Sequence, residues 1–368
     1  MNSFGRIFRI SIFGESHGES VGVVIDGCPA GLPLTVDDFL PDLERRKGGT
    51  QKGTTPRQED DLPIFKSGIF NDRTTGAPIT ILFENKNTRS SDYEKQRAIP
   101  RPGHADFVAR KKAGGFEDYR GSGHFSGRLT VALVAAGVIA KKLLSGVIQQ
   151  MPSVLNEIEQ NLATESTSPS PMEREPDGEV SSGITVTSDI LEIGGETNLD
   201  AGLQKAIDNK DSIGGIIECR VSSLPVGLGE PFFDSAESLL SHIVFAIPAV
   251  RGIEFGTGFR AARMFGSQHN DAIENMSGKT TTNHAGGIVG GLTNGNELVF
   301  RIAIKPTSST PKEQTTLNWE TEKVETLSVK GRHDLCIALR VPVILEAVTA
   351  VVIADLLLLE QHIKRILS

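Results

Sequence analysis

Apolar and polar residues alternate at strand-like spacing through FGRIFRISIF (4–13) and again through VGVVIDG (21–27). The polar segment GESHGES between them predicts a hairpin. Residues 77–83 (APITILF) read as a further strand, and 35–47 as a short helix. Thr35 is its N-cap, Asp37 and Asp38 sit in its first turn, and Arg45, Arg46 and Lys47 close it, as the helix dipole favours. From 87 to 127 no period holds, and the segment reads as a long polar, basic, glycine-rich loop system, a length uncommon without a function. The clearest helix runs from 128 to 149, and its small apolar face (Ala132, Ala135, Ala136, Val138, Ile139) lets a neighbour pack close. Residues 151–182, rich in Ser, Thr, Glu and Pro, read as a linker or surface excursion. Helices at 198–212 and 234–247 flank a strand at 216–224. Residues 286–304 give a glycine-rich segment and a strand joined by Asn294-Gly295, and a last helix covers 342–366. The pattern predicts an α+β fold, with 1–368 as a single domain.

Composition sharpens this. The 39 glycines in 368 residues exceed the usual ~7% and cluster among charges, which points to tight turns and to backbone that approaches a ligand closely. One Trp and two Tyr are too few for a base-stacking surface, and a net charge of −8 argues against a nucleic-acid track. Residues 41–130 nonetheless hold 17 Lys/Arg against 12 Asp/Glu. A basic window in an acidic chain suits either a pocket for a small polyanion or a solvated charged surface. Cys28, Cys219 and Cys336 form no CxxC and read as reduced thiols. The most apolar tract, 347–359, is interrupted by Asp355 and is shorter than a bilayer span. A soluble cytoplasmic protein is expected.

Several familiar templates fail. SGKT at 277–280 resembles the end of a phosphate-binding loop, but the first glycine of that template would fall on Ile273. Gly121 and Gly123 open a GxGxxG pattern that ends on Ser126 and follows no strand. Neither HExxH nor a Cys/His zinc spacing occurs, so no metal site is expected. Four loops remain. In Gly14-Glu15-Ser16-His17-Gly18, His17 either caps its own turn or reaches a ligand. Arg45 to Gly53 sets cations among glycines, suited to an anion or to a helix C-terminus. Pro100 to Asp106 is a stiff loop presenting Arg101 and His104 beside Asp106, an acid/base site or a locked surface turn. Lys305-Pro306-Thr307-Ser308-Ser309 and Gly331-Arg332-His333-Asp334 offer a phosphate cradle or plain turns, and in the second loop two of the three charged residues share a face. Together they suggest acid/base chemistry on a small polyanion, without naming it.

These loops, in this order, resemble the chorismate synthase family. FGESHG (13–18), DGCPAGLPLT (26–35), TTGAPI (74–79), RPGHAD (101–106), GSQHNDAI (266–273), NHAGGIVGG (283–291), KPTSS (305–309) and GRHD (331–334) are similar to its signature segments. The resemblance covers about 4–360 and is weakest over 151–190. It implies a β-α-β sandwich with a helical core between antiparallel sheets, assembled as a homotetramer. It implies anti-1,4-elimination of phosphate from 5-enolpyruvylshikimate 3-phosphate to give chorismate, with reduced FMN required and no net redox change. Some members reduce their own flavin with NADPH. By motif position His17 resembles the acid for the departing phosphate, His104 the histidine that sets the flavin's protonation state, and Asp334 the carboxylate near flavin N5. Arg46, Lys52, Arg101, Arg128 and Arg332 match anion-binding positions. Flavin contacts fall on His124, Phe125, Ser126, Ala249, Gly290, Lys305, Pro306, Thr307, Ser308, Ser309 and Arg332. The chain departs from the family at His124-Phe125-Ser126-Gly127-Arg128, where RSSAR is usual, so a guanidinium fork gives way to an imidazole. A flavin oxidoreductase or NADPH:FMN reductase, and a non-catalytic flavin- or anion-binding protein, are the other readings. Retention of His17, His104 and Asp334 argues against the last.

Overall fold

The structure, a computed structural model, describes residues 1–49, 52–55, 59–88, 97–147, 183–329 and 333–361. The excursion expected at 151–182, Arg332 and the end of the helix expected to reach 366 lie outside the described residues.

The first sheet is antiparallel. Its strands are β1 (Ser3–Phe4), β2 (Arg9–Gly14), β3 (Ser20–Asp26) and β4 (Ile64–Ser67). After a small ribbon, β5 (Ile69–Phe70) with β6 (Arg73–Thr74), comes β7 (Ile79–Glu84), and the order across the sheet is β1-β2-β3-β7-β4. Ser11 faces Val24 and Val23 faces Ile81, so Val21, Val23, Ile25, Ile79, Ile81 and Phe83 share the buried face. The strand expected over 4–13 is in fact two strands paired with each other. Gly5, at φ +94°, turns the chain there, and a Cβ on it would lie 2.1 Å from the Phe8 carbonyl oxygen.

The helix expected at 35–47 starts as a 3₁₀ turn at Val36–Phe39, with Asp38 Oδ2 accepting the Thr35 N–H (2.8 Å), and becomes α1 (Leu40–Arg46). The region 87–127 is not all loop, because it contains α2 (Asp106–Ala113). Only Ala109 of α2 is buried, so no apolar stripe marked it, and Gly114 stops it at φ +64°. Next comes α3 (Thr130–Val147).

The second sheet has β8 (Thr185–Ile193) at its edge and β9 (Gly215–Ser222) beside it, with α4 (Leu199–Asn209) between them in sequence. Then follow α5 (Ala236–Val244), β10 (Val250–Phe255), a hairpin of β11 (Ile288–Val289) and β12 (Leu292–Thr293), and β13 (Leu298–Ile304). The order is β10-β13-β9-β8, again antiparallel. A ribbon of β14 (Gln314–Asn318) and β15 (Lys323–Leu327) precedes α6 (Pro342–Leu359).

Helices α3 and α6 lie side by side between the sheets, α3 against β3 and α6 against β8 and β9. This is the β-α-β sandwich. By length and apolar composition both helices could cross a membrane, yet here they bury one another. At Gly137 a Cβ would stand 2.2 Å from the Ala347 Cβ, so the missing side chain permits the contact. The sequence suggested one apolar face for α3, but every residue from Val131 to Ala140 is buried because the helix is covered on all sides. Asp355, inside the apolar run of α6, accepts the backbone N–H groups of Arg6 (2.9 Å), Ile7 (2.7 Å) and Phe8 (2.8 Å). The turn between β1 and β2, exposed at Arg6 and Ile7 and buried at Phe8, is thereby tied to the core helix. All three cysteines are buried and free, and burial pushes the Cys28 and Cys219 thiols up to about 12, so they are poor nucleophiles.

Candidate active site

A cavity of about 400 Å³ opens where α3 and α6 begin, a volume within the range of small-molecule sites. Arg128 and Thr130 reach it from the start of α3, and Arg340, Val341 and Ile344 from the start of α6. Two 18-residue helices thus turn their N-terminal ends, where N–H groups lack helical acceptors, towards one space. Its described wall carries seven Lys or Arg against three Asp or Glu. Ile247, Ala249, Ile337, Val341 and Ile344 add an apolar surface.

The cationic side is built around Asp61. Its Oδ2 accepts from Arg46 Nη2 (2.6 Å) and its Oδ1 from Arg128 Nη1. Arg46 Nη1 also reaches Thr130 Oγ1 (3.1 Å), while Arg128 Nε donates to Asn85 Oδ1 (3.0 Å) and Nη2 to the Glu84 carbonyl (3.2 Å). Both guanidiniums and the carboxylate are almost fully buried. Burial lowers the affinity of Arg46 and Arg128 for their protons, and Asp61 only partly offsets it. Burial alone would raise the Asp61 carboxyl, but the two guanidiniums hold it below the usual range. Arg46 Nε remains without a hydrogen-bond partner among the described residues, as does the buried Thr307 Oγ1. A leftover donor and hydroxyl on a cation-rich wall fit the oxygens of a phosphate or carboxylate.

The opposite side is the 101–106 loop. Arg101 Nε and Nη2 grip the Asp106 carboxylate (2.7 Å each), and Nη1 donates to Ser309 Oγ (3.0 Å). His104 Nδ1 lies 2.6 Å from Asp106 Oδ1. Arg101 Nη2 is 3.0 Å from the same Nδ1, but its two protons have shorter acceptors in Asp106 Oδ1 (2.7 Å) and Ser122 Oγ (2.9 Å). The arrangement therefore favours a proton on Nδ1 directed to Asp106, with Nε2 turned to Ser122 Oγ at 3.4 Å. Burial would raise Asp106, but hydrogen bonds from Arg101 and His104 outweigh it and keep it ionised well below the ordinary carboxylate range. Lys305 Nζ donates to the Gly103 carbonyl (3.1 Å) and to Ser308 Oγ (2.6 Å), tying the 305–309 loop to this one. Burial, and then Arg251, push the Lys305 amine down. Asp334 Oδ1 accepts the Thr55 N–H (2.9 Å), and Oδ2 pairs with Arg340 (3.2 Å), which also donates from Nε to the Arg46 carbonyl (2.9 Å).

The cavity therefore brings together His104, Asp334, Arg46, Arg101, Arg128, Phe125, Ser126, Ala249 and Lys305 to Ser309. His333 joins Asp334 on its wall. His17 is buried behind it, pressed against Gly121, where a Cβ would lie 2.3 Å from the ring. Gly14 to Gly18 spells the GxSxG of nucleophile elbows, but it joins two antiparallel strands rather than a strand to a helix. Lys52 points instead to Gln204 (3.3 Å) on the surface. Gly290 turns the exposed β11–β12 hairpin, away from the described wall. His124 Nδ1 bonds the Gly14 carbonyl (2.8 Å), and its ring lines a side chamber of about 190 Å³ that shares His104, Ser122 and Phe125 with the main cavity. Asp61, Arg251, Arg340 and Ser122 were not foreseen. Asp61 lies inside the basic window and Ser122 between two glycines, while Arg251 and Arg340 fall outside that window and carried no sequence signal.

A profile of the family described as chorismate synthase matches residues 8–358. A chorismate synthase of Chitinophaga pinensis is 63% identical over 366 residues, covering 100% of this chain and 99% of that one. One from Dehalococcoides mccartyi is 45% identical over 100% of this chain and 99% of its own length. One from Methanocaldococcus jannaschii is 41% identical over 97% of this chain and 96% of that protein. A crystal structure of a chorismate synthase superposes with a TM-score of 0.64 at 22% identity, covering 97% of this chain and 93% of that one, which shows the fold. With a family profile spanning nearly all of it and relatives this similar end to end, the chain belongs to the chorismate synthase family.

Proposed function

We propose that this chain converts 5-enolpyruvylshikimate 3-phosphate to chorismate by anti-1,4-elimination, breaking the C3–O bond to phosphate and losing the C6 proton. The supporting observation is the cavity wall, where Arg46 and Arg128 share one carboxylate and leave a donor over. Such a surplus suits a substrate with one phosphate and two carboxylates. FMN fits the same space, because the apolar surface around Ala249 and Ile344 suits a planar ring and the unpartnered Thr307 hydroxyl suits a polar edge. Lys305 to Ser309, Ala249, Phe125 and Ser126 would hold it. When bound there, reduced FMN would supply electron density for the C–O cleavage without net oxidation.

The chain's own task is placement and proton control. Arg46, Arg101 and Arg128 orient the anionic groups, and burial makes those contacts stronger than they would be in water. Asp106 holds the His104 ring with Nε2 facing inward, where it sets the proton inventory beside the ring system. His17 is the acid for departing phosphate, and the missing side chain at Gly121, a residue of the cavity wall, leaves room for its ring. Asp334, held by Thr55 and Arg340, is the carboxylate that would help manage the proton at flavin N5 during loss of the C6 hydrogen. A homotetramer, a cytoplasmic setting and NADPH as reductant belong to the same proposal. The adjacent exposed Phe232 and Phe233 are surfaces a second copy would cover.

The test is anaerobic. Purified protein, 5-enolpyruvylshikimate 3-phosphate and photoreduced FMN are mixed, and chorismate absorbance and phosphate are followed together. Equal release of both without flavin consumption is expected. A protein that binds FMN and releases no chorismate overturns the proposal. Repeating the assay in air with oxidised FMN and NADPH reads out self-reduction, and light scattering reads out the tetramer.

A further inference from the structure

Residues 121–123 form a left-handed arch, with φ of +58° at Gly121, +71° at Ser122 and +52° at Gly123. The two glycines have a steric reason. A Cβ on Gly121 would strike His17, and one on Gly123 would lie 2.1 Å from the Asp118 carbonyl oxygen. Ser122 has no such reason, and a side chain in this conformation is strained relative to glycine. Its hydroxyl, however, stands at a junction. Arg101 Nη2 donates to Oγ at 2.9 Å, which occupies a lone pair and leaves the hydroxyl proton free. His104 Nε2, the ring nitrogen turned away from Asp106, is 3.4 Å away. Ser122 lines both the main cavity and the side chamber.

We propose that Ser122 is a positioning residue for His104. Its hydroxyl, oriented by Arg101, completes an Asp106–His104–Ser122 chain that fixes the imidazole's tautomer and aim at the cavity wall. No bond is made or broken in this role. The serine supplies the proton that Nε2 accepts in the resting ring, and it swings aside when Nε2 must carry a proton itself. The strain of the arch is retained for that hydroxyl, because glycine would satisfy the backbone alone. This rests on the acid/base role given to His104 above.

Two variants separate hydroxyl from backbone. Ser122→Ala keeps the strain and loses the hydroxyl, while Ser122→Gly loses both. We expect each to lower kcat about tenfold with KM for substrate within twofold, and Ser122→Gly to melt higher than Ser122→Ala. In cofactor-free protein labelled with ¹⁵N-histidine, Ser122→Ala should shift the His104 Nε2 resonance towards that of an unbonded ring nitrogen. Wild-type kcat in both variants, or an unmoved Nε2 resonance, overturns the proposal. The same substitution in a His104→Ala background should cause no further loss, and a second tenfold loss there also overturns it, since the serine would then act elsewhere. His104→Ala alone keeping full turnover would sink the histidine's role. The resonance measurement still judges the Ser122 contact independently.

Discussion

Among the buried carboxylates of the described residues that are each held by two cations, Asp61 and Glu346 differ in what is left over. Asp61, at the cavity, sits between Arg46 and Arg128, whose side chains are only 3% and 4% exposed. Glu346, inside the helical layer, takes Arg45 through both oxygens (2.7 and 2.6 Å) and Lys141 at 2.8 Å, with Ser188 Oγ donating at 3.0 Å. There Asp42 supplies a second negative charge, to Lys141 (2.8 Å) and Arg45 (3.2 Å), so two cations meet two anions. Arg45 is also 47% exposed and spreads its charge into water. The inner cluster is balanced and locks α1, α3, α6 and β8 together. The cavity cluster holds two dry guanidiniums on one carboxylate. Balance marks a structural ion pair, and a surplus held away from water marks a place kept ready for an anion.

Neutralising Asp61 should produce the largest effect. Asp61→Asn removes the carboxylate that both buried guanidiniums contact directly, leaving only the more distant Glu59 and Asp334, and stability should fall by about 3–5 kcal/mol in urea unfolding. Inorganic phosphate should restore more of this midpoint than it adds to the wild type, because a bound anion replaces the missing charge. Equal shifts in both proteins would mean the surplus is not an anion site. Glu346→Gln should cost less, about 2 kcal/mol, because Arg45 reaches solvent. Phosphate should help it no more than the wild type, and turnover per folded molecule should be unchanged. A loss of turnover there would dissolve the distinction between the clusters. The smallest effect concerns acid. Burial opposes ionisation of Glu346, Asp61 and Asp106, yet their cationic partners hold all three below the ordinary carboxylate values. Their stabilisation is present above the unfolded-state pKa near ~4 and is lost as pH falls through the folded values. Urea midpoints of the wild type should therefore decline below about pH 5, and Glu346→Gln should decline less steeply. Parallel pH profiles would show that Glu346 contributes nothing to the acid limb.

Much of this was legible in the sequence, for identifiable reasons. The hairpin of β2 and β3 shows because its alternation is undisturbed, and α3 and α6 show because long apolar runs bounded by Thr130 and Pro342 leave few alternatives. β8 gave no signal, since it is an edge strand whose residues are only half-buried at best until Ile193. α2 was hidden because one buried alanine makes no periodicity. In the site, Arg101, His104 and Asp106 are local, held within six residues by their own hydrogen bonds, and so could be read as a unit. Asp61 becomes meaningful only when folding brings Arg46, fifteen residues away, and Arg128, sixty-seven away, onto it. Arg340 reaches across the fold to the Arg46 carbonyl. Nothing within a short window could reveal either.

The interleaved origin of the central layer has a consequence for biosynthesis. The first sheet is complete once Glu84 has been made, and α3 follows by Val147, but the helix that α3 packs against starts at Pro342. At roughly 5–20 residues per second, that second helix emerges from the ribosome roughly 13 to 50 s after the sheet. Meanwhile the face of Gly137 that will meet Ala347 is uncovered, and the backbone of Arg6 to Phe8 lacks the carboxylate of Asp355. An N-terminal half cannot mature by itself. The nascent chain spends most of its synthesis as an unfinished sandwich, and this is when holding chaperones are expected to matter most for its yield.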